Sequence, residues 1–348
     1  MGATWRQRLA LRLQRSWWQP RKDPLAAALL PLSWIYRLLW AWHRGARARA
    51  GRPGEVPAVP VVVVGNLIVG GAGKTPAVIA IVTALARHGW HPGVISRGYG
   101  RASQGLCEVG DGSTPEDCGD EPILIRRGAR APVVVGRNRP HAAKWLCARH
   151  PEVDVIVSDD GLQHLALHRD VEVIVFDARG IGNGALLPAG PLREPFGLPR
   201  PAGEPLVLYT SGQSSTPLAG HLAHRDLAGA MPLSDWLAGR RESMRPLEAL
   251  RDRPWLAVAG VAHPAAFFDA LEARGLRIDR MPLPDHHRFD ALPWPKGTAA
   301  VLLTEKDAVK LRGRDTGETQ VWVVGLDFQL PDAFVQALRA KLGSPRKR

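Results

Sequence analysis

Cysteine is scarce: Cys107, Cys118 and Cys147 are an odd set with no C-x-x-C spacing, which excludes a disulfide framework and a zinc ribbon and fits a reducing cytoplasm. No internal repeat or low-complexity tract occurs, so a stacked-repeat architecture is excluded. No cleavable signal peptide is expected, because the first apolar run starts only at Leu25 and lacks a small-residue cleavage site. Acid is almost missing from residues 1–52, where eleven Arg or Lys face Asp23 alone; eleven less one places +10 of the net +13 there. The rest of the chain is near neutral. A guanine-specific Asn-Lys-x-Asp signature is also absent. What is present, 348 residues with 45% apolar and 23% charged, suffices for two ordinary globular domains with a sizeable core.

Residues 24–42 are apolar but interrupted by Pro31, Ser33 and Arg37, marginal for a spanning helix, which needs roughly 20 mostly apolar residues. Six of the twelve tryptophans (Trp5, Trp17, Trp18, Trp34, Trp40 and Trp42) lie in this basic stretch. Tryptophan with arginine is the composition of a helix lying on an anionic membrane surface, and that is the expectation for residues 1–52. A core helix with a solvated basic flank and a spanning helix are the alternatives. Nucleic acid is not expected, since leucine and tryptophan interleave with the arginines and no recognition motif occurs.

The richest stretch runs from Gly65 to Thr75, Gly-Asn-Leu-Ile-Val-Gly-Gly-Ala-Gly-Lys-Thr, between the apolar run 59–64 and a helical pattern over 77–88. A buried strand ending in a glycine-rich turn that opens a helix aims backbone N–H groups and the positive end of the helix dipole at one point, where a polyphosphate can sit. Ile68, Val69, Gly70, Gly71, Ala72, Gly73, Lys74 and Thr75 form the expected nucleotide site. Lys74 reaches for phosphate and the Thr75 hydroxyl for Mg²⁺. The strict G-x-x-x-x-G-K-[ST] pattern is not met, because Ile68 stands at its first glycine.

Runs at 93–96, 132–136, 153–158 and 171–176 read as buried parallel strands, and a helical pattern over 140–149 completes a βαβ unit. The fold class is therefore α/β: a P-loop NTPase-like parallel-sheet domain over 53–200, with its ligand at the strand carboxyl ends. Dense glycine and proline over 180–205 mark a long connection and a domain boundary. A smaller second α/β domain, 201–348, is expected to hold strands at 206–209, 255–260, 299–303 and 321–324 and helices at 265–274 and 332–342, the last one free to pack back on the core. A frayed basic tail ends the chain.

Asp159-Asp160 ends the run from Val153 and is followed by Gly161-Leu162-Gln163-His164, a Walker B-like strand end whose carboxylates can hold Mg²⁺ opposite Thr75, or form only a turn. Gly119-Asp120-Glu121-Pro122 places two acids in a loop; one can take a hydroxyl proton, or both are simply solvated. Asp285-His286-His287 offers a histidine to orient an acid, or an ordinary surface loop; metal ligation by adjacent histidines is not expected. Arg97, Arg137, Arg139 and Arg193 fall at strand ends or at the hinge, where guanidinium forks suit phosphate. Thr304-Glu305-Lys306-Asp307 sits likewise, with a salt-bridged turn as the alternative.

As an ordered set these motifs resemble the tetraacyldisaccharide 4'-kinase family, the lipid A 4'-kinases of Gram-negative bacteria. The resemblance spans nearly the whole chain: Pro31-Leu32-Ser33-Trp34-Ile35-Tyr36, Val64-Gly65-Asn66-Leu67 through Gly70 to Pro76, Ser96-Arg97-Gly98-Tyr99-Gly100, Gly119 to Pro122, Asp159 to His164, Leu192-Arg193-Glu194-Pro195, Asp285-His286 and Thr304 to Asp307. The family also lacks the first P-loop glycine. The resemblance implies transfer of the γ-phosphoryl of ATP, with Mg²⁺, to the 4'-hydroxyl of a tetraacylated glucosamine disaccharide 1-phosphate, giving lipid IVA at the cytoplasmic face of the inner membrane. It implies Asp120 as base paired with His286, and Lys74, Thr75, Asp159 and Asp160 on ATP and Mg²⁺. Arg97, Gln163, His164 and Arg193 are the substrate candidates, and no obligate protein partner is expected. Asp120 and His286 belong to different domains, so closure of the cleft is expected to bring them together. A membrane-associated ATPase or GTPase switch without a lipid acceptor, and a non-enzymatic basic adaptor, are the competing readings.

Overall fold

The computed structural model describes residues 5–49 and 56–345. The boundary expected at 52/53 and the last residues of the basic tail, 346–348, lie outside the described residues, as do the side chains of Trp5, Arg6 and Arg8. Two amino-terminal helices, α1 (Trp5–Trp17) and α2 (Pro24–Arg49), precede two sheets.

Among the described residues the first sheet has eight strands: β1 (Val61–Gly65), β2 (Pro92–Ser96), β3 (Cys107–Glu108), β4 (Val133–Val135), β5 (Val155–Asp159), β6 (Val171–Phe176), β7 (Leu206–Tyr209) and β8 (His221–Leu222). Their order is β3-β4-β2-β5-β1-β6-β7-β8, parallel throughout except for β3. Every residue of β1, β5 and β6 is buried, which is why these strands read as unbroken apolar runs rather than an alternation. Val62 and Val64 pack on one face with Val78, Ile81, Val82 and Leu85 of α3 (Lys74–Arg87). Val61 and Val63 pack on the other with Ala142 and Leu146 of α6 (Arg139–Arg149), which follows α4 (Pro115–Cys118) and α5 (Asp120–Ala129). The result is a three-layer domain with β1 at its centre.

The second sheet comprises β9 (His224–Pro232), β10 (Trp255–Ala259), β11 (Ile278–Pro282), β12 (Ala300–Thr304) and β13 (Gln320–Gln329), in the order β11-β10-β12-β13-β9 with only β9 antiparallel. Its helices are α7 (Leu233–Ala238), α8 (Pro264–Ala273), α9 (Glu305–Ala308) and α10 (Asp332–Leu342). Phe334 and Leu338 of α10 join the same core as Leu206 and Leu208, so the last helix packs back on the first sheet.

Three local expectations are corrected. Leu206–Tyr209 belongs to the first sheet, not the second: it runs parallel to β6 in the register Val173↔Leu206 to Phe176↔Tyr209. The glycine- and proline-rich stretch before it is consequently no linker between domains. It folds over the edge of the P-loop, where Ile68 bridges Leu192 and the Val69 N–H bonds the Pro191 carbonyl at 2.9 Å. Asp120 and Glu121, expected in a loop, open helix α5, where acids in the first turn meet the positive end of the helix dipole.

Candidate functional site

The loop between β1 and α3 is held by its carbonyls. The side chains of Asn66, Arg179 and Thr210 donate to the carbonyls of Gly70, Gly71 and Ala72 at 3.2, 2.6 and 3.4 Å. The amides of Gly70, Gly71, Ala72 and Gly73 meet no backbone acceptor among the described residues. They stand before the first turn of α3, whose N-cap Gly73 has φ 82 and no side-chain cap. A loop that satisfies its acceptors internally and leaves its donors at a helix N-terminus is built for an anion. Glycine is required at its entry, since a Cβ on Gly65 would lie 2.7 Å from Leu162. Ile68, at the first glycine position of the strict motif, is fully buried in the core, and Val69 spends its N–H on Pro191. Residues 70–75 thus form the open part of the cradle.

Lys74 donates to Asn66 at 3.2 Å and lies 3.8 Å from Asp160. Arg193 reaches the same two side chains, at 2.9 Å to Asp160 and 3.3 Å to Asn66. Burial alone would lift the Asp160 carboxyl, but Lys74 and Arg193 hold it below its ordinary value. Asp159 behaves oppositely. Burial, then the charges of Glu121 and Asp160, push it up to about 6. Ser96 donates to one of its oxygens at 2.9 Å, while its Oδ1 is buried without a hydrogen-bond partner. An orphaned carboxylate oxygen whose neighbours are two more carboxylates fits a hard divalent cation, which takes oxygen ligands and removes the repulsion. The residues present therefore fit Mg²⁺.

The second centre is the start of α5. Thr114 caps α4 reciprocally with Asp117, and the chain then turns at Gly119 with φ 89, where a Cβ would meet the Tyr99 carbonyl at 2.9 Å. This turn sets Asp120 against His286, whose Nδ1 lies 3.0 and 3.2 Å from its two oxygens. Lys310 adds a cation 3.5 Å from Asp120 and 3.1 Å from Asp307, which itself accepts from the Gly260 N–H and the Thr304 hydroxyl. Lys306 joins Glu121 at 3.1 Å, Asp285 at 3.3 Å and the far nitrogen of His286 at 3.3 Å. Burial opposes ionisation of Asp120, which is 4% exposed, but the His286 bond and the Lys306, His286 and Lys310 charges hold its carboxyl down at about 2. For His286 burial acts downward, and the bond to Asp120 together with the Asp120 and Asp285 charges overcomes it and raises the imidazole. Lys306 is raised likewise by Glu121, Asp120 and Asp285 against its burial.

Closure of the cleft was the expected condition for the acid–histidine pair; in the structure the two domains already meet there. A cavity of about 1900 Å³ is lined by Gly71, Gly73, Lys74 and Thr75 of the loop and by Glu121 and Lys306; Asp120 and His286 lie behind these last two rather than in its wall. The other sequence candidates fall around it. The Gln163 amide donates to the Asn66 carbonyl at 3.2 Å, and His164 is half-buried in the same turn. Arg97 is exposed at the end of β2, whereas Arg139 is buried and donates to the Asp159 carbonyl at 2.7 Å. Arg179 and Lys310 were not singled out in the sequence, and Asn66 and Glu121 stood in quoted motifs without the contacts they make here. Their roles arise from partners up to 190 positions away, and only Asp-Glu-Pro as a helix-start pattern was locally readable for Glu121.

A glycine-rich loop before a helix N-terminus, with a buried acid–histidine pair beside the same cleft, is the equipment of a P-loop phosphotransferase. The chain belongs to the tetraacyldisaccharide-1-P 4'-kinase family, whose model matches residues 25–343. It is 51% identical over 334 residues to the tetraacyldisaccharide 4'-kinase of Methylibium petroleiphilum, covering 94% of this chain and 93% of the relative. Against the enzyme of the same name from Leptothrix cholodnii it is 48% identical over 344 residues, covering 97% and 98%. The fold is shared with the crystal structure of LpxK from Aquifex aeolicus in complex with ATP, at a TM-score of 0.74 and 24% identity, over 92% of this chain and all of the other.

Proposed function

We propose that this protein is an ATP-dependent kinase that phosphorylates the 4'-hydroxyl of tetraacyldisaccharide 1-phosphate, forming lipid IVA in lipid A biosynthesis. The observation that carries the reading is the Asp120–His286 contact at 3.0 Å beside the cleft that the phosphate loop opens into. The free amides of residues 70–73 and the Lys74 ammonium bind the triphosphate of ATP. Thr75, Asp159 and Asp160 would hold Mg²⁺, which would supply neutralising charge to the phosphates. Arg193 draws Asp160 and Asn66 together and adds a second cation at the same end.

Asp120 accepts the hydroxyl proton as the sugar oxygen attacks, and His286 orients the carboxylate and shares its charge. At about 2 the carboxyl is fully ionised at neutral pH but a weak base, so the pairing trades basicity for a fixed, charged acceptor. Lys306, tied to Glu121, Asp285 and His286, keeps the two domains joined at the reacting end. Arg97, Gln163 and His164 contribute to the sugar and 1-phosphate side.

An acylated acceptor requires a bilayer surface. Helix α2 turns Leu32, Trp34, Ile35, Leu38, Leu39 and Trp42 outward, with Leu38 70% and Trp42 69% exposed, while Ser33 and Tyr36 bond the protein on the opposite side. An apolar stripe along a helix docked lengthwise on its domain supports a peripheral or monotopic attachment at the cytoplasmic face of the inner membrane. The parts divide as a membrane-lying helical segment, a P-loop core and a second domain covering the cleft.

Incubation with γ-labelled ATP, Mg²⁺ and the acylated disaccharide separates kinase from switch. Label in the lipid fraction supports the proposal; label released only to water establishes an ATPase without a lipid acceptor.

A further inference from the structure

The Pro31–Tyr36 motif contains two polar side chains, Ser33 and Tyr36, that neither membrane binding nor phosphate chemistry uses. Both are turned away from the apolar stripe. Ser33, buried, donates to the Leu186 carbonyl at 2.8 Å and accepts from the Ala189 N–H at 3.1 Å. Tyr36 donates to the Arg193 carbonyl at 2.7 Å. These acceptors lie on one short stretch, 186–193, that folds on itself through Leu187 N–H to the Leu192 carbonyl at 3.0 Å.

The far side of that stretch is bonded to the phosphate loop. Val69 N–H bonds the Pro191 carbonyl at 2.9 Å, Arg193 N–H bonds the Leu67 carbonyl at 2.8 Å, and Ile68 bridges Leu192. From the same residue that receives Tyr36, the guanidinium extends to Asp160 and Asn66, and Asn66 in turn receives Lys74 at 3.2 Å. A continuous hydrogen-bonded splint thus runs from the lipid-facing helix to the phosphate-binding lysine. Backbone bonds hold Leu192 and the Arg193 N–H, and the Tyr36 hydroxyl holds the Arg193 carbonyl and refers it to α2.

We propose that Tyr36 is a positioning residue for phosphoryl transfer: through the Arg193 carbonyl it sets the guanidinium on Asp160 and Asn66, so that seating α2 on a membrane orders the phosphate loop. The proposal deepens the kinase reading and rests on it. Loss of this neutral hydrogen bond lowers kcat about three- to tenfold.

The test uses full-length protein, vesicles of phosphatidylethanolamine and phosphatidylglycerol, ATP, Mg²⁺ and the acylated disaccharide. Tyr36→Phe is expected to lower kcat by that factor while vesicle sedimentation and the KM for the lipid stay as in the wild type. In an Arg193→Ala background the same substitution is expected to add nothing, because both act through one guanidinium. Amide exchange across residues 66–75 is expected to slow when vesicles are added to the wild type and not when they are added to Tyr36→Phe. Unchanged kcat, an additive effect in the Arg193→Ala background, or vesicle protection of the loop equal in both proteins overturns the proposal. A wild type that transfers no label to lipid overturns the kinase reading instead, and the exchange measurement still decides the role of Tyr36.

Discussion

Lys310→Met removes one cation from the centre of the Asp120 cluster and leaves its shape nearly filled. The Lys310 side chain is 4% exposed and stands 3.1 Å from Asp307 and 3.5 Å from Asp120, whose side chains are 0% and 5% exposed. Without it Asp307 keeps its bonds to Gly260 and Thr304 but loses its counter-charge. Deleting one member of a buried ion pair costs about 3–5 kcal/mol, because the remaining charge stays desolvated. With an unfolding entropy of roughly 2.1 cal/mol/K per residue over the chain, that corresponds to a Tm lowered by about 4–7 °C. Asp120 loses one of the cations that hold it at about 2, so its pKa rises and the acid limb of the kcat profile moves to higher pH. Calorimetry and a pH–rate series on Lys310→Met and Lys310→Arg form the assay. A Tm within a degree of the wild type, with an unshifted acid limb, would refute the claim that Lys310 is the buried counter-ion of this site.

Asp120→Asn and His286→Gln should each lower kcat by about 10²–10⁴-fold with ATP affinity retained, measured by steady-state kinetics beside nucleotide titration; undiminished turnover removes them from the chemistry. Gly73→Val should abolish ATP binding, because position 73 has φ 82 and its Cβ would press on Thr210 at 3.3 Å; calorimetric titration reads this, and wild-type affinity contradicts the cradle. Asp159 has its folded pKa raised to about 6, so the folded state resists ionisation, and in metal-free protein this group removes stability as pH rises from about 4 through 6. Asp159→Asn should therefore raise the metal-free Tm at pH 8 and abolish stabilisation by Mg²⁺; a lower Tm with Mg²⁺ protection intact sinks that assignment. Leu38→Glu with Trp42→Glu should release the protein from anionic vesicles in sedimentation while leaving its Tm within about 1 °C, both positions being exposed.

The central strands were legible because a parallel strand covered on both faces cannot hide its pattern: Val61–Gly65 and Val171–Phe176 are buried at every position. Residues 206–209 were legible as a strand but not as a member of the first sheet, since four apolar residues say nothing about which sheet accepts them. The edge strands Ile278–Pro282 and His224–Pro232 escaped notice because they carry exposed polar residues and no clean alternation. Gly-Lys-Thr and Asp159-Asp160 were legible locally as candidates, and the fold brings Lys74 to 3.8 Å from Asp160. The Asp120–His286 pair could not be assembled from spacing, because its members stand 166 positions apart and came together on paper only through the resemblance to a family. Arg179 and Lys310 had no local sign at all, as their work is to satisfy groups brought close by folding.

The central claim is that phosphate held at Lys74 passes to one sugar hydroxyl beside Asp120. Purified full-length protein, given ATP, Mg²⁺ and either tetraacyldisaccharide 1-phosphate or its 4'-deoxy analogue, tests it by ³¹P NMR of the extracted lipid. A new phosphate monoester at the 4' position with the first acceptor and none with the second is the expected result. No new lipid phosphate with either acceptor, or the same phosphate gain with both, contradicts it.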